Sequence, residues 1–194
     1  MEFVQRAARF AVQSHGDQKR KYTGEPYVSH PEAVATIVST VTSDPEVLAA
    51  AWLHDVVEDT PVSLAEIRAL FGDRVAQMVS DLTDVSVPSD GNRAIRKALD
   101  RDHLAQASPE AQTIKYADLI DNTRSIVARD PAFARTYLRE KAALLAVMDR
   151  GDPRLREQAM RLCEESLGSL ASKSERARIL VQSRARGEMA DTPV

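Results

Sequence analysis

The sequence predicts an all-α fold, and three observations carry that prediction. Seven glycines in 194 residues leave few sites for the positive-φ turns that tight hairpins need. No segment sustains the period-two alternation of apolar and polar residues that marks a half-buried strand. Cap-forming residues followed directly by proline recur, at Asp44-Pro45, Ser108-Pro109, Asp130-Pro131 and Asp152-Pro153. That pairing starts helices, because the N–H that proline lacks has no intrahelical partner in the first turn.

Taken in order, the first helix should cover Glu2 to His15, with Phe3, Ala7, Phe10 and Ala11 on its apolar face. A basic loop, 16–28, follows and contains Lys19-Arg20-Lys21 and Gly24-Glu25-Pro26. Pro31 to Val41 and Pro45 to Glu58 read as the second and third helices. Ser63-Leu-Ala-Glu66 has the spacing of a capping box and opens a helix to Phe71, which Gly72 separates from Asp73–Asp84. A loop over 85–92 leads to a charged helix, Arg93–Ala105. Pro109–Ala128, Pro131–Met148 and Pro153–Leu167 complete the globule. From Ser169 the composition shifts to Ser, Arg, Ala and Glu; Ser174–Arg186 should form one more helix and the last eight or so residues should fray. The expected organisation is one domain, 1–168, and a helical or flexible tail, 169–194.

A hydrophobic content of 43% is enough for a sizeable core, and a net charge of −3 gives no argument for nucleic acid. The single cysteine, Cys163, excludes an internal disulfide and suits a reducing compartment. Neither an apolar signal core after Met1 nor an apolar run of bilayer length is present. The expectation is a cytoplasmic protein with no nucleic-acid or membrane partner. Its oligomeric state is not legible.

The chemistry concentrates in Ala49-Ala-Ala-Trp-Leu-His54-Asp55-Val-Val-Glu58-Asp59-Thr60. On a continuous helix His54 and Glu58 share one face, and Asp55 and Asp59 the adjoining one. Four ionisable groups on a largely buried helix are costly unless compensated. A divalent metal compensates them well, since imidazole and carboxylate are both good ligands. The plainer reading is an acidic cluster at the solvated end of a helix. His30, directly before Pro31, is by itself a cap or surface residue as readily as a ligand. Asp118, inside Ile114-Lys-Tyr-Ala-Asp118-Leu-Ile-Asp121-Asn122-Thr-Arg124, is by itself most simply a buried carboxylate paired with an arginine. Asn122 shares its face, whereas Asp121 is turned away by most of a half-turn.

Together, His30, His54-Asp55 and Asp118 resemble in order the ligands of the HD superfamily of metal-dependent phosphohydrolases. Ala8–His15, Gly24-Glu-Pro-Tyr-Val-Ser-His30-Pro31, Ala51–Thr60 and Lys115–Arg124 resemble one subgroup: the hydrolase domain of bifunctional alarmone enzymes and the free-standing small alarmone hydrolases. The resemblance covers Phe3 to Met148, and too few residues remain for a synthetase domain. It implies an HD-type helical bundle with a single buried metal site, in which His30, His54, Asp55 and Asp118 hold one divalent ion, manganese in the relatives. It implies that Glu58 and Asp59 orient and deprotonate the attacking water. Arg20, Lys21 and Thr23 would flank the purine and its phosphates, Asn122, Arg124 and Ser125 would contact nucleoside and phosphate, and Tyr137 would line the same pocket. Arg93, Arg96 and Lys97 could attract pyrophosphate; a solvated helix face is the simpler account of them.

The implied activity is release of 3′-pyrophosphate from a guanosine or adenosine alarmone. Another HD-type nucleotide hydrolase and a non-catalytic alarmone sensor are the alternatives. Two departures bear on substrate preference. The relatives carry a basic residue where Leu119 stands, and an aromatic residue or histidine where Asp121 stands; both differences lower the positive charge near the site.

Overall fold

The structure, a computed structural model, describes residues 2–188, with side chains through residue 171. Among these residues the regular elements are helical, and the one bridge, Lys19 with Pro26, closes the basic loop. The helices are α1 Glu2–His15, α2 Ser29–Ser39, α3 Pro45–Leu53, α4 Val56–Asp59, α5 Leu64–Phe71, α6 Asp73–Leu82, α7 Arg93–Gln106, α8 Pro109–Arg129, α9 Pro131–Val147 and α10 Pro153–Glu188. None is long and apolar enough to cross a membrane.

The starts follow the local chemistry read above. Asp44, Ser108 and Asp130 each accept a backbone N–H of the helix they open, with proline next in the chain. Ser63 and Glu66 make the reciprocal capping box. Two elements differ from expectation. The third helix does not run through to Glu58; it stops at Leu53 and restarts as α4 after His54-Asp55. The helix expected to end at Leu167 instead continues to Glu188 and takes in the separately expected 174–186 segment. The expected fraying bears on 187–194, of which 189–194 lie outside the described residues.

α8 is the axis, packing against α2, α3, α6, α9 and α10. It is buried on most sides, which explains why its buried set mixes Ile114, Ala117 and Ile120 with Gln112, Asp118 and Thr123. Helices approach α3 closely because Ala49, Ala50 and Ala51 are all fully buried small residues. Tyr116 has a structural role. Its ring is fully buried and its hydroxyl donates to Met148 O at 2.8 Å, tying the turn after α9 to α8. A Cβ at Gly151 would stand 2.6 Å from that ring, so the turn accepts only glycine without repacking. Cys163 is a core residue between α9 and α10, its thiol donating to Leu138 O.

Candidate metal centre

Three segments deliver the central groups: the first turn of α2, the joint between α3 and α4, and the middle of α8. At the joint Asp55 has φ −99° and ψ −6°, the sparsely populated bridge region. Consecutive residues on an unbroken helix point about 100° apart. The break lets His54 and Asp55 turn towards one point, which the expected continuous helix would not. His54 Nε2 is 3.2 Å and His30 Nε2 3.5 Å from Asp55 Oδ2. One ligand atom from each of His30, His54 and Asp55 falls within 4.8 Å of the others. Asp118 adjoins this group through His30, with Oδ1 3.2 Å from Nε2.

Each of these side chains is held by a neighbour. His54 Nδ1 lies 2.8 Å from Ala51 O, which fixes a proton on that nitrogen and leaves Nε2 facing the cluster. Asp55 Oδ2 accepts the Tyr27 hydroxyl at 2.7 Å, so the tyrosine of the Gly-Glu-Pro-Tyr segment belongs to the site. Asp118 is bracketed by Lys115 Nζ at 2.8 Å and by the Asn122 amide. His30 Nδ1 meets Asp121 Oδ2 at 2.7 Å, and Arg20 donates to the same oxygen at 2.7 Å.

The donor set fits a divalent ion. His54 Nε2 is buried and has no hydrogen-bond partner among the described residues, although Asp55 Oδ2 stands 3.2 Å away. An orphaned buried nitrogen calls for an explanation, and a ligand bond supplies one. The electrostatics agree: burial by itself would lower the His30 pKa, yet Asp118, Asp121 and Asp55 outweigh it and push it up to about 10. Burial likewise disfavours the charged form of Asp55, but His54 and His30 hold its carboxyl well below the usual range. The cluster therefore attracts positive charge. Two imidazole nitrogens with carboxylate oxygens suit a first-row divalent metal.

Glu58 and Asp59 occupy α4, beside the cluster. Glu58 is accessible by surface area, but surrounding protein atoms and the Asp84 and Asp55 carboxylates push its pKa up to about 7. Asp59 is shifted upward by burial and by Asp55, against the opposing influence of the nearby Tyr27 hydroxyl.

A cavity of about 520 Å³ opens at Asp118 and runs between α7, α8 and α9, within the size range of small-molecule sites. Asn122 and Tyr137 line it, as do Lys115, Lys141 and Asp84. Arg93 and Lys97 also line it, but Arg93 is bound to Glu140 and Lys97 to Asp84 and Asp100. Lys21, Thr23, Arg96, Arg124 and Ser125 are not in its lining. Lys21 lies over the Tyr22 ring, Thr23 accepts Glu25 N–H, and the Ser125 hydroxyl donates to Asn122 O. Asp121, Lys115, Lys141 and Asp84 carried no role in the sequence reading; the i,i+3 spacing of Lys115 and Asp118 on α8 was a readable signal, whereas the partners of the other three lie on other elements.

A profile of the HD domain family matches residues 7–148. Over 144 residues the chain is 38% identical to a probable guanosine-3′,5′-bis(diphosphate) 3′-pyrophosphohydrolase of Synechocystis sp., a match covering 73% of this chain and 19% of that protein. It is 39% identical over 126 residues to the guanosine-3′,5′-bis(diphosphate) 3′-pyrophosphohydrolase MESH1 of Drosophila melanogaster, covering 63% of this chain and 69% of that protein. The chain thus spans under a fifth of the long bacterial relatives, 19% and 18% in the Synechocystis and Aquifex aeolicus proteins. A solved structure of a metazoan ortholog of SpoT that hydrolyzes ppGpp superposes with a TM-score of 0.76 at 29% identity, covering 85% of this chain and 96% of that one.

Proposed function

Because this chain belongs to the HD domain family, we propose that it hydrolyses purine nucleoside 3′,5′-bis-pyrophosphates, releasing pyrophosphate and leaving the 3′-hydroxyl. Guanosine is the favoured base and adenosine the alternative. The observation that carries this reading is the His30–His54–Asp55 cluster, with its unpartnered Nε2, opening at Asp118 onto a nucleotide-sized cavity. The activities named for the Synechocystis and Drosophila relatives support it.

In this reading His30, His54, Asp55 and Asp118 hold one divalent ion, with manganese the first choice. When bound, that ion supplies Lewis acidity, which acidifies water and neutralises phosphate charge. Glu58 removes a proton from the attacking water, and a pKa near 7 suits a general base at neutral pH. Asp59 orients the same water. Water oxygen bonds to the phosphorus next to the 3′ oxygen as that P–O bond breaks; the 3′ oxygen takes up a proton from solvent, and Glu58 returns to solvent the one it removed. Asn122 and Tyr137 line the cavity and are assigned to the nucleoside; Lys21, Thr23, Arg124 and Ser125 are assigned to its periphery. Residues 1–168 form the catalytic unit and 169–194 a tail. In this reading the activity is a cytoplasmic one, in the compartment that holds nucleotide pools.

The test is product analysis with Mn2+ and guanosine and adenosine 3′,5′-bis-pyrophosphates side by side. Pyrophosphate should appear from at least one and vanish on chelation. Glu58→Gln should abolish turnover while nucleotide binding stays measurable. Turnover surviving in that variant removes Glu58 from the role; binding without turnover in the wild type means a sensor.

A further inference from the structure

Asp121 stands where the relatives carry an aromatic residue or histidine, and on α8 it points away from Asp118. Its carboxylate nevertheless meets the ring of His30 on α2. Oδ2 accepts from His30 Nδ1 and from Arg20 Nη2, both at 2.7 Å. The three side chains are only 12%, 13% and 3% exposed for Arg20, Asp121 and His30. Charge-assisted hydrogen bonds this short and this sheltered are the strong kind.

Two consequences follow for the ring. A carboxylate on Nδ1 keeps the proton there, so Nε2 is the nitrogen left for Asp55, Asp118 and whatever they share. It also fixes the ring plane, because the Nδ1–Oδ2 contact permits little rotation. Carboxylates placed behind metal-binding histidines act in this way generally, and removing them weakens metal affinity about 10–100-fold. Arg20 in turn belongs to the basic loop and is drawn out of the set of cations directed at substrate. Its charge offsets Asp121, and its reach joins the loop to α8.

We propose that Asp121 is the positioning residue of the metal centre and that Arg20 acts through it, so that Arg20, Asp121 and His30 form one relay linking the basic loop to the metal site. The relay rests on the reading of His30 as a ligand. It assigns Arg20 a task different from gripping nucleotide, and it makes Asp121 a replacement with a function of its own.

The experiment is calorimetric titration of MnCl2 into the metal-free full chain, as wild type and as Asp121→Asn, Arg20→Ala, Arg20→Lys and the Asp121→Asn/Arg20→Ala pair, each first checked for native thermal unfolding. Asp121→Asn keeps shape and removes charge. It should weaken Mn2+ binding about 10–100-fold with the fold intact. Arg20→Ala should weaken it less, Arg20→Lys should recover part of that loss, and the pair should be no worse than Asp121→Asn alone. Unchanged affinity in Asp121→Asn, or losses that add fully in the pair, overturns the relay. A wild type that binds no Mn2+ or other divalent ion removes the metal reading itself, and the relay with it.

Discussion

Two lysines line the same cavity and are treated oppositely by their surroundings. Lys115, on α8, is 19% exposed at its side chain and sits 2.8 Å from Asp118 Oδ2. Burial alone would depress its pKa, but Asp118, with Asp55 and Asp84 behind it, holds the ammonium above its ordinary range. Lys141, on α9, is 2% exposed, and its Nζ finds only Thr123 Oγ1 at 2.8 Å and Leu119 O at 3.4 Å. No carboxylate within ion-pairing distance appears among the described residues, and burial pulls its pKa down to about 8. Burial pulls both ammonium groups down; a carboxylate beside Lys115 reverses the shift, and the neutral oxygens beside the deeper Lys141 do not.

The largest test of that contrast is Lys115→Met. It takes the nearest cation from buried Asp118 and leaves the His30 contact and the Asn122 amide, so the cost should reach at most the roughly 3–5 kcal/mol of a fully broken buried pair. Thermal unfolding of the metal-free protein should fall accordingly, and added Mn2+ should recover part of the loss. An unaltered melting temperature would show that the pair contributes nothing.

Lys141→Met should have the opposite sign. A folded-state pKa near 8 against an ordinary 10.5 means that below pH 8 the folded chain carries an ammonium it disfavours, a cost on the order of 3 kcal/mol before lost hydrogen bonds are set against it. Between about pH 8 and 10.5 the unfolded chain binds more protons than the folded one, so wild-type stability rises relative to the variant across that window. Urea unfolding should find Lys141→Met the more stable at pH 7 and the gap closing by pH 10. A gap independent of pH would refute the assignment.

The smallest effect belongs to Thr123→Val, which removes the best acceptor of Lys141 and should cost about 1 kcal/mol at pH 7. The same change should leave Lys115 and Mn2+ affinity untouched. Loss of metal binding in that variant would mean the two lysines are not independent.

Much of the fold was legible because it is written locally. Cap-then-proline at Asp44, Ser108 and Asp130 and the box at Ser63-Glu66 place helix starts through contacts within a few residues. The first helix, Glu2–His15, also has the expected bounds, its apolar positions recurring at helical spacing within the one segment. The α3–α4 break was not legible, since the apolar run continues through it and only the convergence of His54 and Asp55 on His30 rewards the joint. The relay was hidden for a related reason. The spacing between Asp118 and Asp121 says which way each faces on α8 but not that His30 of α2 waits on the second face. Leu119 looked like a simple loss of positive charge; Lys141, arriving from 22 residues further along to lie beside its carbonyl, restores a cation to the neighbourhood.

The joint at His54-Asp55 also divides labour along the chain. The joint itself carries the proposed ligands His54 and Asp55, backed by fully buried Ala51 and Leu53; on its far side lie Glu58 and Asp59, on a helix of four residues. Changes confined to that short helix can therefore silence turnover while leaving the ion's seat intact. A scaffold hinged in this way can drift between catalyst and receptor by altering one turn of chain, without rebuilding its core.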